Sequence, residues 1–199
     1  MTGNAEEQEL KDRISLIETM IAEGRRTTES WGWVFVLWGL AYYVAIAWDK
    51  WGHSYLAWPV TMIAAFALTA ALAARKRAIH PRTNMSRAIG SVWIAMGISM
   101  FVLFMSLGFS GRLTDPHGFV AIATAMLGTA NATSSMILKW KMQFACAVVW
   151  WAAAVASCFG SKTQLWGVFL VAIFFCQIVF GIYGMIMETR RRNQGAVHA

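Results

Sequence analysis

Two amides and three indoles stand where polar chemistry is expensive: Asn131, Gln177, Trp38, Trp150 and Trp151 all fall inside long apolar runs of the chain. An amide or indole N–H taken out of water needs a hydrogen-bond partner, since an unmade bond there costs about 1–3 kcal/mol. Gly128, Asn131 and Ser135 recur at intervals of three and four, which gives the fourth run one small, polar helical face. Two readings follow. The amides, with Thr124, Thr129 and Thr133, hold neighbouring helices together at roughly 0.6–2 kcal/mol per contact, or they line a substrate cavity between the fourth and sixth runs. The mid-run indoles divide in the same way. They pack on Gly39, Gly97, Gly128 and residues 152–154, or they wall an aromatic pocket for a flat or hydrophobic molecule.

Charged chemistry is kept elsewhere. Glu6, Glu7, Glu9, Asp12, Glu18, Glu23, Glu29, Asp49, Asp115 and Glu188 are the ten acids, and all lie outside the apolar runs or at their edges. No Lys, Arg or His lies deep in a run either. Ion-coupled carriers, proton relays and voltage sensors keep an ionisable group within the membrane, so these classes lose support. His53, His80, His117 and His198 have no helical i, i+3 or i, i+4 spacing, and only His53 with His117 could meet across a pair of loops as metal ligands. Cys146, Cys158 and Cys176 lie in apolar runs without a paired motif and read as small core residues. No nucleophile has a neighbouring base in any recognisable arrangement, so the chain is expected not to be an enzyme and to need no cofactor or metal.

The elements that would position these side chains follow from composition. Of the 199 residues, 58% are apolar and 14% charged, against about 25% charged in ordinary soluble domains. Such a chain must meet an apolar phase. Six runs, at 31–48, 54–74, 88–107, 119–138, 142–159 and 165–187, each approach the roughly 20 residues that a helix needs to cross a bilayer. None alternates with a period of two, which excludes barrel strands. The expected fold is an all-α integral membrane protein, six transmembrane helices in an antiparallel bundle behind a short amphipathic helix. The domain plan is an N-terminal helix at 1–30, a membrane domain at 31–188 and a basic tail at 189–199.

Orientation comes from Lys and Arg. Fourteen of the 17 (residues 11, 13, 25, 26, 75–77, 82, 87, 139, 141 and 190–192) fall on one side of this plan, leaving Lys50, Arg112 and Lys162 on the other. The positive-inside rule then puts both termini in the cytoplasm, as expected for a bacterial inner-membrane protein. The shortest connection is Lys139-Trp140-Lys141, where one long tilted helix is the competing reading; it would carry residues 190–192 to the wrong side. The +7 net charge belongs to these flanks, which also attract anionic lipid headgroups, and does not indicate nucleic acid.

Within 1–30, Asn4 and Glu7 resemble a capping pair, and Leu10, Ile14, Ile17 and Ile21 recur at four, three and four residues. Seven acids and four bases make this segment acidic, the wrong sign for anionic lipid. Its stripe is expected to pack on the bundle's own end, to form a short coiled coil between subunits, or to dock a cytoplasmic protein along 5–27. No cleavable signal sequence is expected. Trp31, Trp33, Trp48, Trp51, Trp58, Trp140 and Trp166 lie near run ends, where an indole keeps its N–H wet. Gly90 with Gly97, and Gly181 with Gly184, are helix-packing positions.

Trp31-Gly32-Trp33-Val34-Phe35 through Trp38, Tyr42-Tyr43 and Trp48 resembles the opening helix of the tryptophan-rich translocator-protein family, which binds porphyrins and steroids. The resemblance covers only this first run. That family has five spans, and its later signatures are missing here, so it implies no binding residue. The expected function is the binding or movement of a small apolar or amphiphilic molecule, with Trp38, Trp150, Trp151, Asn131 and Gln177 as lining residues. The alternatives are a homo-oligomeric scaffold or regulator acting through the N-terminal helix, and a passive channel.

Overall fold

With no water in hydrocarbon to bond a free N–H or C=O, an apolar run satisfies its backbone by coiling on itself, and every long run here is helical. The computed structural model describes residues 2–52, 56–77, 84–112 and 115–197, and no strand occurs among them. The elements are α1 (Thr2–Ser30), α2 (Gly32–Gly52), α3 (Ala57–Arg77), α4 (Asn84–Phe109), α5 (Pro116–Leu138), α6 (Lys141–Phe159), α7 (Lys162–Ile173), a π-helical segment (Phe174–Val179) and α8 (Phe180–Val197). Among the described residues six helices are long and apolar enough to span a membrane, the last running continuously through the π segment from Lys162 to Arg191. The chain is therefore a polytopic helical membrane protein.

Helix ends differ from expectation where capping intervenes. Asp115 caps α5 by accepting from the His117 N–H at 3.1 Å, ahead of Pro116 at the first position. Ser161 and Gln164 cap α7 reciprocally. α1 begins at Thr2, so Asn4 lies within the helix, and α8 stays helical to Val197.

The break between α5 and α6 is settled by backbone geometry. Lys139 adopts left-handed φ 49° and ψ 42°, its N–H bonds the Met136 carbonyl, and the Trp140 N–H reaches the Ser135 carbonyl at 3.0 Å. This is the Schellman closure, in which a glycine is usual. Two helices result, and α6 folds back along α5 in the most extensive contact of the bundle.

Small residues decide which helices lie deep. α5 buries Ala123, Gly128, Ala130, Ala132, Ser134 and Ser135 beside Val120, Leu127 and Leu138, and so sits at the centre. In lipid, close approach rather than water exclusion drives such packing. Gly32 of α2 crosses Gly181 of α8 so tightly that a Cβ on Gly32 would stand 2.5 Å from the Gly181 carbonyl oxygen. Gly90 and Gly97 of α4 pack on no helix of this chain: a Cβ at either meets nothing within 4 Å, because that face of α4 looks outward. The aromatic core joins Tyr42, Trp150 and Phe169, with Phe35 edge-on to both Trp93 and Phe180.

One end of the bundle gathers basic segments. Arg25 bonds the Leu138 carbonyl at 2.6 Å and Arg191 pairs with Glu29 at 2.7 Å, so residues 25–26, 139–141 and 190–191 share a face. Only the C-terminal part of α1 is docked there, with Gly24 against Met85 and Leu138. Residues 6–19 are exposed, including Leu10, Ile14 and Ile17. Self-packing of the whole stripe is thus corrected: α1 is longer than the bundle end that it crosses.

Candidate functional site

The deepest polar side chains lie on α5, α6 and the π segment. On α6 the buried stripe runs Gln143, Ala147, Trp150, Ala153, Ser157, one face of a 3.6-residue helix. On α5 the facing stripe includes Thr124, Leu127, Gly128, Asn131, Ser134 and Ser135. Gly128 opposes Trp151, since a Cβ there would lie 2.5 Å from the indole Cδ1. That contact fixes the register, placing Asn131 between the levels of Gln143 and Trp150, which are about 10 Å apart along α6 at 1.5 Å per residue. The Cys176 Sγ–H reaches the Cys146 carbonyl at 3.6 Å, while the neighbouring Gln177, also buried, lies with its Cβ against Gly39 of α2.

These side chains differ in how far their hydrogen-bonding capacity is met. Asn131 is wholly buried; its Nδ2 donates to the Leu127 carbonyl at 2.9 Å, while its Oδ1 has no partner among the described residues. Gln143 is equally buried, and neither its Oε1 nor its Nε2 has a partner among the described residues. Trp150 is wholly buried with its Nε1 unbonded. Hydroxyls nearby are satisfied. Ser134 accepts from the Trp93 Nε1 at 3.1 Å, Ser135 donates to Ala132, and Thr124 donates to Val120 at 2.7 Å. The layer therefore offers two acceptor oxygens, one amide with two donor hydrogens and one indole donor.

No charge enters this layer. Between Lys141 and Lys162 α6 carries no acidic or basic residue, and in α5 only His117 is titratable, near the far end. His117 Nδ1 lies 2.7 Å from the Ser157 carbonyl, a contact tying α5 to α6. His53, its suggested metal partner, lies outside the described residues, among which no group of three His, Cys, Asp or Glu could hold a metal ion.

The five residues singled out from sequence meet different fates. Asn131 and Trp150 are buried between α5 and α6, and Gln177 is buried on the π segment beside Gly39 of α2. Trp38 is half-buried on α2 with its ring 6.3 Å from Tyr42, beside the aromatic core. Trp151 is 39% exposed and lies across Gly128 instead of pointing inward, because its neighbour Trp150 takes the buried face of α6. Gly39 receives Gln177 and Ile178 and no indole. Cys158 is exposed on the outer surface, which corrects its reading as a core residue, and all three cysteines are free.

Sequence reasoning missed Gln143. It stands two residues past Lys141, where it reads as part of a polar turn. Its signal was the i, i+7 relation to Trp150. The π segment was missed as well. Such single-turn widenings inside α-helices gather at functional sites, and this one carries Cys176 and Gln177 inward. No protein-family model, no curated protein and no solved structure matches the chain.

Proposed function

We propose that this protein binds, within its bundle, a small uncharged molecule that presents both hydrogen-bond donors and acceptors on an otherwise apolar body. The observation that carries this reading is Gln143: a fully buried amide with donor and acceptor both unbonded. Burying such a group without a partner costs about 1–3 kcal/mol, and buried amides are otherwise satisfied by protein, ordered water or ligand. Asn131 Oδ1 and Trp150 Nε1 add a second acceptor and a second kind of donor further along the same α5–α6 seam. The absence of charge in the layer favours a neutral ligand, because an ion there would lack a counter-charge.

The role is one of binding or movement and is not enzymatic, no cofactor being required. The π segment supports movement, since such widenings gather at functional sites and this one sits against Gly39. The one-sided distribution of Lys and Arg favours an antiparallel bundle in a bacterial inner membrane with both termini in the cytoplasm.

Native mass spectrometry of the protein released from mild detergent tests this reading. The expected spectrum carries a stoichiometric non-lipid adduct that is lost from Gln143→Leu. A wild-type spectrum with no such adduct, or an adduct retained equally by Gln143→Leu and Asn131→Leu, would overturn it.

A further inference from the structure

The apolar stripe of α1 continues past the bundle. Numbered as a heptad with Glu7 at position a, Leu10 falls at d, Ile14 at a, Ile17 at d, Ile21 at a, Gly24 at d and Thr28 at a. Its C-terminal end is covered by this chain, Gly24 lying against Met85 and Leu138 and Thr28 being buried. Its N-terminal end is bare: Leu10, Ile14 and Ile17 are 59%, 49% and 54% exposed. A seam that begins as a packed interface thus runs out into water for two heptads.

The residues beside the seam say what covers it. Glu6 and Arg13 occupy g positions, and Lys11 and Glu18 occupy e. In a parallel pair of helices, each g residue faces the e residue five positions on in the other helix. Glu6 then faces Lys11 of a second copy, and Arg13 faces Glu18. Both junctions join opposite charges, and symmetry doubles each. Two copies inserted in one membrane with the same orientation also present their α1 helices in parallel. We propose that residues 6–21 form a parallel two-stranded coiled coil with α1 of a second copy of this chain.

Two heptads are marginal for an isolated peptide. Here the membrane confines and aligns both helices, which raises their effective concentration. In the single chain Lys11 pairs with Glu7 and Arg13 with Glu9 along the helix, at 2.7 and 2.6 Å. These pairs are solvated, and their cations can be shared with a second helix at little cost. The acidic balance of the segment favours a protein surface over anionic lipid as the cover.

The test is Förster transfer between donor- and acceptor-labelled full-length copies in phosphatidylcholine vesicles at low protein-to-lipid ratio. Wild-type copies should show transfer. The double variant E6K/R13E places like charges at both junctions and should fall to the level of a monomeric membrane control, as should K11E/E18K. An equimolar mixture of these two variants restores every g–e pair as opposite charges, and should recover the wild-type transfer. Because damage to the helix itself would persist in the mixture, recovery separates pairing from folding. In a second measurement, Ile14→Cys should yield a covalent dimer on mild oxidation, and Thr19→Cys, at the outward f position, should not. Absence of transfer in wild type, transfer unchanged in either variant, or no recovery on mixing would each overturn the proposal.

Discussion

The guanidinium of Arg25 donates from Nε to the backbone carbonyl of Leu138 at 2.6 Å, joining positions 113 residues apart. Its Nη2 also donates to the carbonyl of Lys139, the one non-glycine residue with positive φ among those described. A left-handed lysine costs roughly 1–2 kcal/mol in backbone strain. Arg25 holds that turn by occupying its last free carbonyls, so one side chain both closes the α5–α6 hairpin and docks α1 on it.

Replacing Arg25 by Ala should therefore lower thermal stability by about 1.5–3 kcal/mol, the range for hydrogen bonds from a charged donor. It should also release α1. Limited proteolysis in detergent checks both effects: cleavage should spread from the exposed first turns towards Gly24. An Arg25→Ala protein cleaved no faster than wild type would show that α1 is held by other contacts.

Glu29 and Arg191 make an asymmetric pair. Glu29 is 4% exposed, whereas the side chain of Arg191 is 41% exposed. Burial pushes the Glu29 carboxyl above its ordinary 4.5; Arg191, then Arg25 and Arg26, pull it back without cancelling the rise. A folded value above the unfolded one means that the native state binds more protons between the two. Stability contributed by this group is thus full below pH 4.5 and declines as pH rises through the folded value. Glu29→Gln should remove that decline and leave stability at neutral pH within about 1 kcal/mol of wild type, because the remaining Arg191 is hydrated. Arg191→Ala should cost more, about 1–3 kcal/mol, because it strands a buried carboxylate. Melting temperatures of the three proteins from pH 4 to 8 decide the matter, and equal losses in both variants would contradict it.

Gln143→Leu exchanges an unbonded buried amide for an apolar side chain of similar size. Ligand-free protein should gain about 1–3 kcal/mol. Asn131→Leu should gain less, since the Asn131 Nδ2 already bonds Leu127. Thermal unfolding in detergent after exhaustive delipidation is the measurement. A loss of stability in Gln143→Leu would mean that the amide is bonded in the native protein.

Glycines on opposite sides of the bundle should respond oppositely to Ala. At Gly32 the new Cβ meets backbone, the Gly181 oxygen at 2.5 Å and the Met185 nitrogen at 2.9 Å. Neither can rotate away. The α2–α8 crossing must open, at about 1–3 kcal/mol. At Gly97 the Cβ meets open space, so the better helix former should add up to about 1 kcal/mol. Paired melting curves check the contrast, and similar shifts for Gly32→Ala and Gly97→Ala would refute the placement of either face.

Composition and hydropathy alone determined that this chain spans a membrane as helices, because a bilayer leaves a backbone no other way to satisfy its hydrogen bonds. All six spans were legible to within a few residues, and so was the isolation of the acids from hydrocarbon. Which face a helix turns inward was legible on α5, where Gly128, Asn131 and Ser135 are buried together, but not on the other helices. In lipid both faces are apolar, so the pattern that marks a core in a soluble helix is weak, and adjacent residues such as Trp150 and Trp151 cannot be told apart. Tertiary structure decided that Trp150 is buried and Trp151 lies across Gly128, that Gly32 meets Gly181 while Gly97 meets nothing, and that Gln143 is buried on the same face of α6 as Trp150. It also decided that the stripe of α1 is docked from Gly24 onward and bare at Leu10, Ile14 and Ile17. Each depends on where one helix ends relative to another, a distance that no local pattern encodes.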